Sequence, residues 1–450
     1  MKLETLLRET LRDWSTEAVV PHDLADRALR GRSRFRPNFI ASAAVVTAAV
    51  VAASVLVPRV LPTIGQDDGP AAAVATGSPK SSSEATTRPV AAPTPVSPDA
   101  LPRSLAIHAD TEGSRPKKLI AAGRVVVSAY KVWEQEKIGD KSDRRHDTWF
   151  LYNSETGTYE QTGWGVLDVA PGMKLAAVLE RDLPARRIGV LDMATREVVK
   201  WIDLDHPVAD VAWSPDGTKV LATSYEKDPT IRTHLSADGN SWTQPDDGRT
   251  GFNVIDVTSG SASFHPVPRD AKRGPAWSGN PFRWFDDGTL IWEINGMRAT
   301  ANDPQKLFYD LEGRRHDAPE GLLETYTEAG TSPNGALYAG RPALPDRGGE
   351  AVRVDVDKLT RELAAAPKGP ETAVTDVATG KVVGRQQMLQ LRAWADDEHL
   401  IALQCVGKCE DEFDSYLVLV TVDGTKSVRL SGAMENFQHP GSWYPLLTRR

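Results

Sequence analysis

Two cysteines near the C-terminal end are close enough in sequence to form a disulfide or to share a metal ion. They stand in the segment CVGKC as Cys405 and Cys409, and the chain has no other cysteine. In an oxidising compartment, two thiols this close in sequence form a disulfide that closes a small loop. A metal site would need further ligands, and the spacing differs from the C-x-x-C of redox-active pairs. We therefore expect a disulfide between Cys405 and Cys409.

The segment CEDEFD, which begins at the second of these cysteines, places several carboxylates in one short loop. Oxygen ligands at this density can hold Ca²⁺, but the EF-hand spacing is absent, so we interpret the segment as solvated loop charge. The nine histidines are scattered, with no pair at metal-ligand spacing. No nucleophile elbow, H-E-x-x-H motif, P-loop or dinucleotide-binding glycine motif occurs. The sequence therefore predicts no catalytic residue, no metal and no cofactor.

Two long segments carry side chains that suit binding. In Glu226–Thr250, a tryptophan stands in a loop rich in Gly, Ser and Asp, where it can contact a ligand, cap a channel or pack on its own loop. The earlier segment Val132–Asp147 also contains a tryptophan. The candidate ligand-binding residues are Trp133, Arg232, His234, Trp242 and Asp246.

A folded scaffold must hold these two segments in place, and one turn of the sequence indicates what kind of fold it is. The segment VADVAWSPDGTKVLATSY places two β-rich runs around a tight turn. Proline presets φ at the second turn position, and glycine can adopt a positive φ at the fourth. This pattern predicts an antiparallel hairpin. The turn residues are Trp213, Ser214, Pro215, Asp216 and Gly217.

Related turns recur along the chain, in APGMK (170–174), DDGT (286–289), SPNGA (332–336) and ADDEH (395–399). A second class alternates with them, for example NSETGTY (153–159) and DVATGKV (376–382), each after a β-rich run. The strict alternation predicts repeated units of four antiparallel strands, A to D, with the two turn classes at A–B and C–D. Such units close into an all-β, six-bladed β-propeller, with seven blades as the alternative. Trp213, Trp284 and Trp394 precede such turns, and we interpret them as packing residues.

The WSPDG-type turns resemble those of WD-repeat-like propellers of the TolB type, which occur often in bacterial extracytoplasmic proteins. The resemblance covers about residues 104–450. The whole layout resembles actinobacterial single-pass membrane proteins with an outer propeller. The resemblance implies a fold and a location outside the cytoplasm, and it implies no activity.

Strand direction assigns the connections of such a propeller to two rims. The A–B and C–D turns lie on one rim and are short, whereas the B–C and D–A connections lie on the other. Variable loops on a rigid scaffold are where binding usually occurs. We therefore expect the second rim to be the working face. Its insertions are Val132–Asp147, Glu226–Thr250, Asn295–Gln305, Arg341–Glu371 and Gln404–Asp414.

The N-terminal part has a different character. Residues 39–57, FIASAAVVTAAVVAASVLV, carry no charge and are long enough to span a bilayer. The positive-inside rule then predicts a cytoplasmic tail (1–38), a transmembrane helix (39–61) and an extracytoplasmic C-terminal domain, at the cell membrane. The spacing of apolar residues makes the tail helical, and its helices either dock a cytoplasmic partner or lie on the lipid headgroups. A cleaved signal peptide is the alternative, but its positive region would be unusually long. The Pro-, Ala-, Ser- and Thr-rich residues 62–103 predict a disordered linker before a propeller domain, 104–450. The arginines that precede the apolar stretch are Arg27, Arg30, Arg32, Arg34 and Arg36.

Three functional hypotheses follow. A net charge of −8 argues against a nucleic-acid partner. The leading hypothesis is a membrane-anchored, extracytoplasmic binding or sensing module with a protein, peptide or glycan partner. The second is a transmembrane regulator whose residues 1–30 bind a cytoplasmic signalling protein such as a sigma factor. The third, an enzyme with its site at the channel mouth, has no motif support.

Overall fold

Apolar runs separated by Gly-, Pro- and Asp-rich turns form strands throughout the structure, which is a computed structural model. It describes residues 92–234, 242–243, 248–267, 280–294, 306–318, 329–340, 371–407, 414–435 and 439–450. The strands are β1 (Thr94–Pro95), β2 (Ala121–Ala122), β3 (Val125–Gly139), β4 (Ser142–Asn153), β5 (Thr158–Gln161), β6 (Val166–Val169), β7 (Leu175–Leu179), β8 (Ala185–Asp192), β9 (Val198–Trp213), β10 (Lys219–Tyr225), β11 (Ile231–His234), β12 (Trp242–Thr243), β13 (Arg249–Asp256), β14 (Ala262–Pro266), β15 (Arg283–Trp284), β16 (Ile291–Ile294), β17 (Lys306–Tyr309), β18 (Arg315–His316), β19 (Gly330–Thr331), β20 (Leu337–Gly340), β21 (Thr372–Asp376), β22 (Val382–Gln386), β23 (Gln390–Trp394), β24 (His399–Cys405), β25 (Ser415–Thr421), β26 (Lys426–Arg429) and β27 (Trp443–Arg449). Two short 3-10 turns, Pro98–Ala100 and Arg103–Leu105, are the only helical segments of these described residues.

The strands form five hydrogen-bonded sheets. Strands β15 to β18 and β19 to β22 each form a four-stranded antiparallel sheet. A five-stranded sheet has the order β1-β26-β25-β24-β23. One seven-stranded sheet has the order β14-β13-β10-β9-β8-β7-β6. The other has the path β12-β11-β4-β3-β2, with β27 also on β3 and β5 also on β4.

Tight turns neighbour one another in a series that closes on itself, once within the seven-stranded sheet that contains β9 and otherwise between sheets. The backbone N–H of Thr331 donates to Asp286 Oδ2 at 2.7 Å, and that of Asn334 donates to Asp397 Oδ1 at 2.9 Å. The arrangement is therefore propeller-like. In order, the neighbouring turn residues are Pro171 with Gly217, Pro215 with Gly288, Asp286 with Thr331, Asn334 with Asp397, Ala395 with Arg124, and Arg449 with Gly172.

The two ends of the described chain help to close this arrangement. The C-terminal strand β27 lies antiparallel to β3, from Trp443↔Val132 to Arg449↔Val125. The N-terminal strand β1 adds in parallel to β26, and Leu101 and Leu105 are buried in an apolar cluster between sheets. Residues from Thr94 onward, the last part of the predicted linker 62–103, therefore pack on the sheets.

The predicted fold, a six- or seven-bladed propeller on a transmembrane helix with a helical tail, is wrong in that form. The described residues form five sheets, because the single strand β9 serves two successive groups of four. Its first half pairs with β8 (Ile202↔Ile188) and its second half with β10 (Val211↔Ala222). The register against β8 shifts between these halves, so a β-bulge stands where the sequence predicts a connection.

The predicted membrane segment precedes the first described residue. Within the described ranges, no helix is long and apolar enough to cross a membrane. The tail 1–38, the apolar stretch 39–57 and most of the linker lie outside the described residues.

Candidate functional site

Strands β3 and β4 continue well past the strand that borders them. The last pair between β27 and β3 is Trp443↔Val132, whereas β3 and β4 remain paired as far as Gly139↔Ser142. The end of β3, residues 134–139, is exposed. The segment predicted as the insertion Val132–Asp147 is thus a continuous hairpin.

A second predicted insertion, Glu226–Thr250, completes the same sheet. Its strand β11 lies antiparallel to β4 with the pair Arg232↔Asp143, and β12 lies against β11 with the pair His234↔Trp242. Backbone hydrogen bonds fix this docking, since Arg145 N donates to Thr230 O at 3.0 Å and His234 N donates to Lys141 O at 2.7 Å. We call residues 133–147 together with β11 the hairpin extension.

Alternation along the strands sorts the side chains of the hairpin extension onto two faces. Residues that are directly opposite in an antiparallel pair lie on the same face, and so do residues two apart on one strand. One face carries most of the candidate residues, and we call it the arginine face. We count Lys131 of β3, which precedes the hairpin extension on the same side of the strand, as part of this face. The arginine face then holds Lys131, Trp133, Gln135, Lys137, Asp143, Arg145, Asp147, Arg232 and His234.

A stacked pair occupies the centre of the arginine face. The guanidinium carbon of Arg145 lies 4.3 Å from the centroid of the Trp133 ring, which is a cation–π contact. Trp133 is buried and Arg145 keeps 29% of its side-chain exposure. Burial lowers the pKa of the Arg145 guanidinium, while the nearby Asp147 carboxylate acts in the opposite direction. Arg145 therefore carries its charge in a poorly solvated place.

The carboxylates of this face are already engaged. Asp143 Oδ2 accepts hydrogen bonds from Gln135 Nε2 and from His234 Nε2. Asp147 Oδ2 accepts from Lys131 Nζ at 2.5 Å. The other oxygen, Asp147 Oδ1, lies 3.9 Å from Arg145 Nε, which is too far for a hydrogen bond. The side chains of Asp143 and Asp147 are only 13% and 20% exposed.

A second guanidinium group, that of Arg232, lies on the same face as Arg145. Burial lowers the pKa of Arg232, the neighbouring Arg145 lowers it further, and Asp143 acts against both. The same network leaves His234 with one ring nitrogen bonded to Asp143, while its buried Nδ1 has no hydrogen-bond partner among the described residues. The arginine face therefore holds two guanidinium groups together with two carboxylates, Asp143 and Asp147, that counter their charge.

Three of the five predicted ligand-binding residues, Trp133, Arg232 and His234, thus lie on one face. Of Trp242 only the backbone is described, in β12, and Asp246 lies outside the described residues. The sequence interpretation missed Asp143 and Arg145, which supply the central contacts. The sequence signal is weak, since the segment WEQEKIGDKSDRRHD has the low hydrophobicity that is typical of a loop.

The predicted turn residues have structural roles. Gly217 has φ +71°, and its N–H donates to Ser214 O at 2.9 Å, which closes the turn between β9 and β10. Asp216 accepts from the hydroxyl of Ser214 at 2.5 Å. The indole N–H of Trp213 donates to the backbone oxygen of Asp168 at 3.1 Å. Trp284 and Trp394 donate in the same way to Ala212 and Gly330, at 2.9 and 3.0 Å.

The structure describes one of the two cysteines of the predicted disulfide. Cys405 is buried at the end of β24, opposite Ser415 of β25, and it is disulfide-bonded. Cys409 lies outside the described residues, so the pairing stays a prediction. Among the residues that the structure covers, no three His, Cys, Asp or Glu side chains are grouped so as to hold a metal ion.

Comparisons with known proteins give only distant likenesses. No protein-family model matches the chain, and no curated protein matches it. Among solved structures, the chain is similar to the eukaryotic initiation factor, with 13% identity, a TM-score of 0.33, and coverage of 73% of this chain and 90% of that one. It is also similar to the hydrazine synthase of Kuenenia stuttgartiensis, with 13% identity, a TM-score of 0.30, and coverage of 74% and 79%. The likeness to the tricorn protease has 12% identity, a TM-score of 0.32, and coverage of 70% of this chain but only 31% of that one. Likenesses at this level assign no function to the chain.

Proposed function

We propose that this protein is a binding module that engages a protein partner through the hairpin extension, outside the cell membrane. The observation that supports the proposal is that two distant parts of the chain build one small sheet beyond the closed arrangement. A hairpin from one sheet and an insertion from another meet at Arg232↔Asp143. Scaffold closure requires neither part, because β3 already pairs with β27 as far as Val132.

The chemistry of the hairpin extension suits recognition of a protein surface. Its exposed strand end offers backbone groups and charged side chains, with Glu134 and Glu136 exposed by 59% and 51%. Its arginine face carries Arg145, which keeps 29% of its side-chain exposure, and arginine is enriched where proteins bind one another. Binding residues of this kind commonly lie on segments held by a rigid scaffold.

Placement outside the membrane rests on different features. Cys405 is disulfide-bonded, and disulfides persist mainly in extracytoplasmic compartments. The apolar stretch 39–57, with arginines on its N-terminal side, supports an anchored module with the described residues on the outer side.

Site-specific photocrosslinking tests the proposal. The photoreactive residue p-benzoylphenylalanine would replace Glu136 on the hairpin extension or, as a matched control, Glu155, an exposed glutamate in the turn between β4 and β5. We expect a discrete protein adduct in the native host from position 136 and none from position 155. Replacement of residues 134–146 by Asn-Gly would then abolish capture by a crosslinker moved to position 133. Equal labelling at positions 136 and 155, or none at 136, would contradict the proposal.

A further inference from the structure

The first half of β9 is an outer strand with an open edge. Residues 198–203 pair with β8 on one side, whereas β10 takes the opposite edge of β9 only from Val208 onward. No other described strand pairs with β9 before Val208. In an antiparallel pair, every second residue turns its N–H and C=O groups away from the partner strand. The open edge therefore presents backbone donors and acceptors that a further strand can use.

An outer strand of another sheet in this protein already carries an added strand. The segment β1 lies parallel to β26, the outer strand of its sheet. The N–H of Thr94 donates to Thr425 O and that of Val96 donates to Ser427 O, both at 2.8 Å. An extended segment thus binds to the outer edge of one sheet through its backbone, and the open edge of β9 offers the same kind of groups.

Two apolar side chains are exposed along the open edge of β9. Exposure alternates in this half of the strand, and Val199, Trp201, Asp203 and Asp205 are its exposed positions. Val199 keeps 61% of its exposure and Trp201 keeps 37%. Trp201 is the one aromatic residue among the exposed large hydrophobic side chains of the described ranges. An outer strand that leaves apolar groups exposed is suited to cover by another chain.

The two acidic side chains of this edge are not engaged by the scaffold. The carboxylates of Asp203 and Asp205 make no hydrogen bond and no ion pair within the part of the chain that the structure describes. Arg186 donates to the backbone oxygen of Asp205, at 3.3 Å, and Asp203 acts on the charge of Arg187 only at longer range. A partner strand with basic side chains at the matching positions therefore complements this edge.

The ring of Trp201 is held in place before any partner arrives. The guanidinium carbon of Arg187 lies 4.1 Å from the ring centroid, and Glu180 holds this guanidinium group with hydrogen bonds of 2.6 and 3.1 Å. The Trp164 ring packs edge-on at 6.1 Å. A Cβ atom at position 189 would lie 3.2 Å from Trp201 Cζ3, so Gly189 leaves room for the ring. A tryptophan ordered in advance loses little freedom on binding.

The indole N–H group also separates Trp201 from the tryptophans of the scaffold. Those of Trp213, Trp284 and Trp394 each donate to a backbone oxygen. The indole N–H of Trp201 donates to none of the described residues. The scaffold therefore uses only part of what this side chain can contribute.

We infer that the open edge of β9 binds an extended segment of a protein partner, which adds to the sheet as a further strand. Apolar side chains of the segment pack on Val199 and Trp201, and basic side chains lie opposite Asp203 and Asp205. A second copy of β9 is a poorer occupant, because it would bring more carboxylates to an acidic edge. The edge belongs to a different sheet from the hairpin extension, so this inference goes beyond the proposed function and does not depend on it.

A defined peptide and the full-length protein test the inference. The probe is fluorescein-labelled Lys-Thr-Lys-Thr-Ile-Thr-Val, followed by anisotropy. In an antiparallel arrangement it places its lysines opposite Asp205 and Asp203, and its isoleucine and valine opposite Trp201 and Val199. We expect saturable binding that weakens at least about tenfold in Trp201→Ala.

Backbone pairing is tested with two modified forms of the same peptide, one N-methylated at its odd positions and one at its even positions. Only one edge of an added strand faces β9, and N-methylation of that edge removes its donors. We therefore expect one form to bind and the other to lose binding, although their side chains are identical.

The matched control for side-chain contacts is Val383→Lys, compared with Val199→Lys. Val383 is also an exposed valine of an outer strand, β22, with 48% exposure, and both substitutions add the same charge. We expect Val199→Lys to weaken binding at least about tenfold and Val383→Lys less than about twofold. Thermal melting is the folding check. If Trp201→Ala unfolds, Val199→Lys carries the comparison.

Four results would overturn the inference. Absence of saturable binding would show that the edge is not a docking site, and equal binding of the two N-methylated peptides would exclude strand addition. Equal weakening by Val199→Lys and Val383→Lys would show diffuse charge attraction. Self-association of the protein that Val199→Lys abolishes would assign the edge to a second copy.

The inference and the proposed function fail separately. The variant with residues 134–146 replaced by Asn-Gly should bind the peptide as wild type does, and loss of binding there would move the peptide site to the hairpin extension. If crosslinking at position 136 succeeds while the peptide does not bind, the inference is wrong and the proposed function stands. If crosslinking fails while the peptide binds with the expected variant pattern, the inference stands and the proposed partner surface is wrong.

Discussion

Asp168 is a carboxylate whose ionisation we expect to weaken the folded state, and replacing it by asparagine tests this. Asp168 lies in β6, and its Oδ2 accepts a hydrogen bond from the backbone N–H of Trp213 at 2.7 Å. Burial raises its pKa to about 6, although the Trp213 hydrogen bond and the charge of Arg283 act in the opposite direction. Arg283 itself is engaged by Asp210 Oδ2 at 2.5 Å.

The sign of the effect follows from linkage. The folded pKa of about 6 lies above the value of about 3.9 expected in the unfolded chain, so the folded state holds the proton more tightly. The resulting stabilisation is complete below about pH 4 and is lost as the pH rises through about 6. The difference between the two pKa values corresponds to about 3 kcal/mol at most.

Asparagine has the shape of the protonated carboxyl group, and its side-chain oxygen can still accept from Trp213. Asp168→Asn is therefore expected to unfold with a free energy equal to that of wild type near pH 4, and with one higher by up to about 3 kcal/mol near pH 7.5. Denaturant unfolding from pH 4 to 8 measures both curves. Other titrating groups are common to the two proteins and cancel in the difference.

Asp216→Asn is the matched control, because its linkage has the opposite sign. Hydrogen bonds from Ser214 and Thr218 lower the pKa of Asp216, so its contribution is present at neutral pH and is lost in acid. Asp216→Asn is expected to lower the unfolding free energy at pH 7.5. The reasoning is refuted if Asp168→Asn is destabilising at pH 7.5 with a pH profile parallel to wild type, since the anion would then stabilise the fold through Arg283.

Three further predictions concern the scaffold and its extension. Gly217→Val should lower the unfolding free energy by about 1–2 kcal/mol, because Gly217 has φ +71°; an unchanged denaturation midpoint would contradict this. Replacement of residues 134–146 by Asn-Gly, which leaves Trp133↔Asp147 as the closing pair of a hairpin turn, should keep the protein folded but lower the unfolding free energy by about 1–3 kcal/mol, because Trp133 loses the cover of Arg145; unfolding of this variant would show that the hairpin extension is part of the scaffold. Mass spectrometry of exported protein should find Cys405 and Cys409 paired, and Cys405→Ser should lower the unfolding free energy by roughly 1–2 kcal/mol; two free thiols in the native protein would contradict the pairing.

Local signals predicted the hairpins and the propeller-like arrangement, and they failed where pairing is decided at long range. The turn at Ser214–Gly217 depends on the φ preferences of proline and glycine, which are properties of those residues alone. In contrast, the sequence favours a loop between two strands at Asp205, His206 and Pro207, because proline is unfavourable within a strand. The chain stays extended there because a bulge against β8 accommodates the change of partner, and this depends on the neighbouring strand.

The candidate site was only partly predicted, because its contacts also depend on strand pairing at long range. Strand direction places Val132–Asp147 and Glu226–Thr250 on one rim, and this was enough to group Trp133, Arg232 and His234. Their contacts depend on the register of β11 against β4, where a slip by one residue would move Arg232 to the opposite face. No pattern within residues 231–234 specifies that register, so Asp143 and Arg145 could not be assigned as partners.

The low stability of an isolated hairpin explains why the arginine face is built from two distant segments. A two-stranded hairpin is marginally stable in water, and β3 beyond Val132 has lost the support of β27. The third strand, β11, supplies backbone hydrogen bonds to β4 and brings Arg232 and His234 to the face in the same step. The His234–Asp143 contact therefore joins the stability of the hairpin extension to the geometry of its charged groups. The face forms only when both segments dock, so its guanidinium groups are oriented by the pairing of β11 with β4 and not by the hairpin alone.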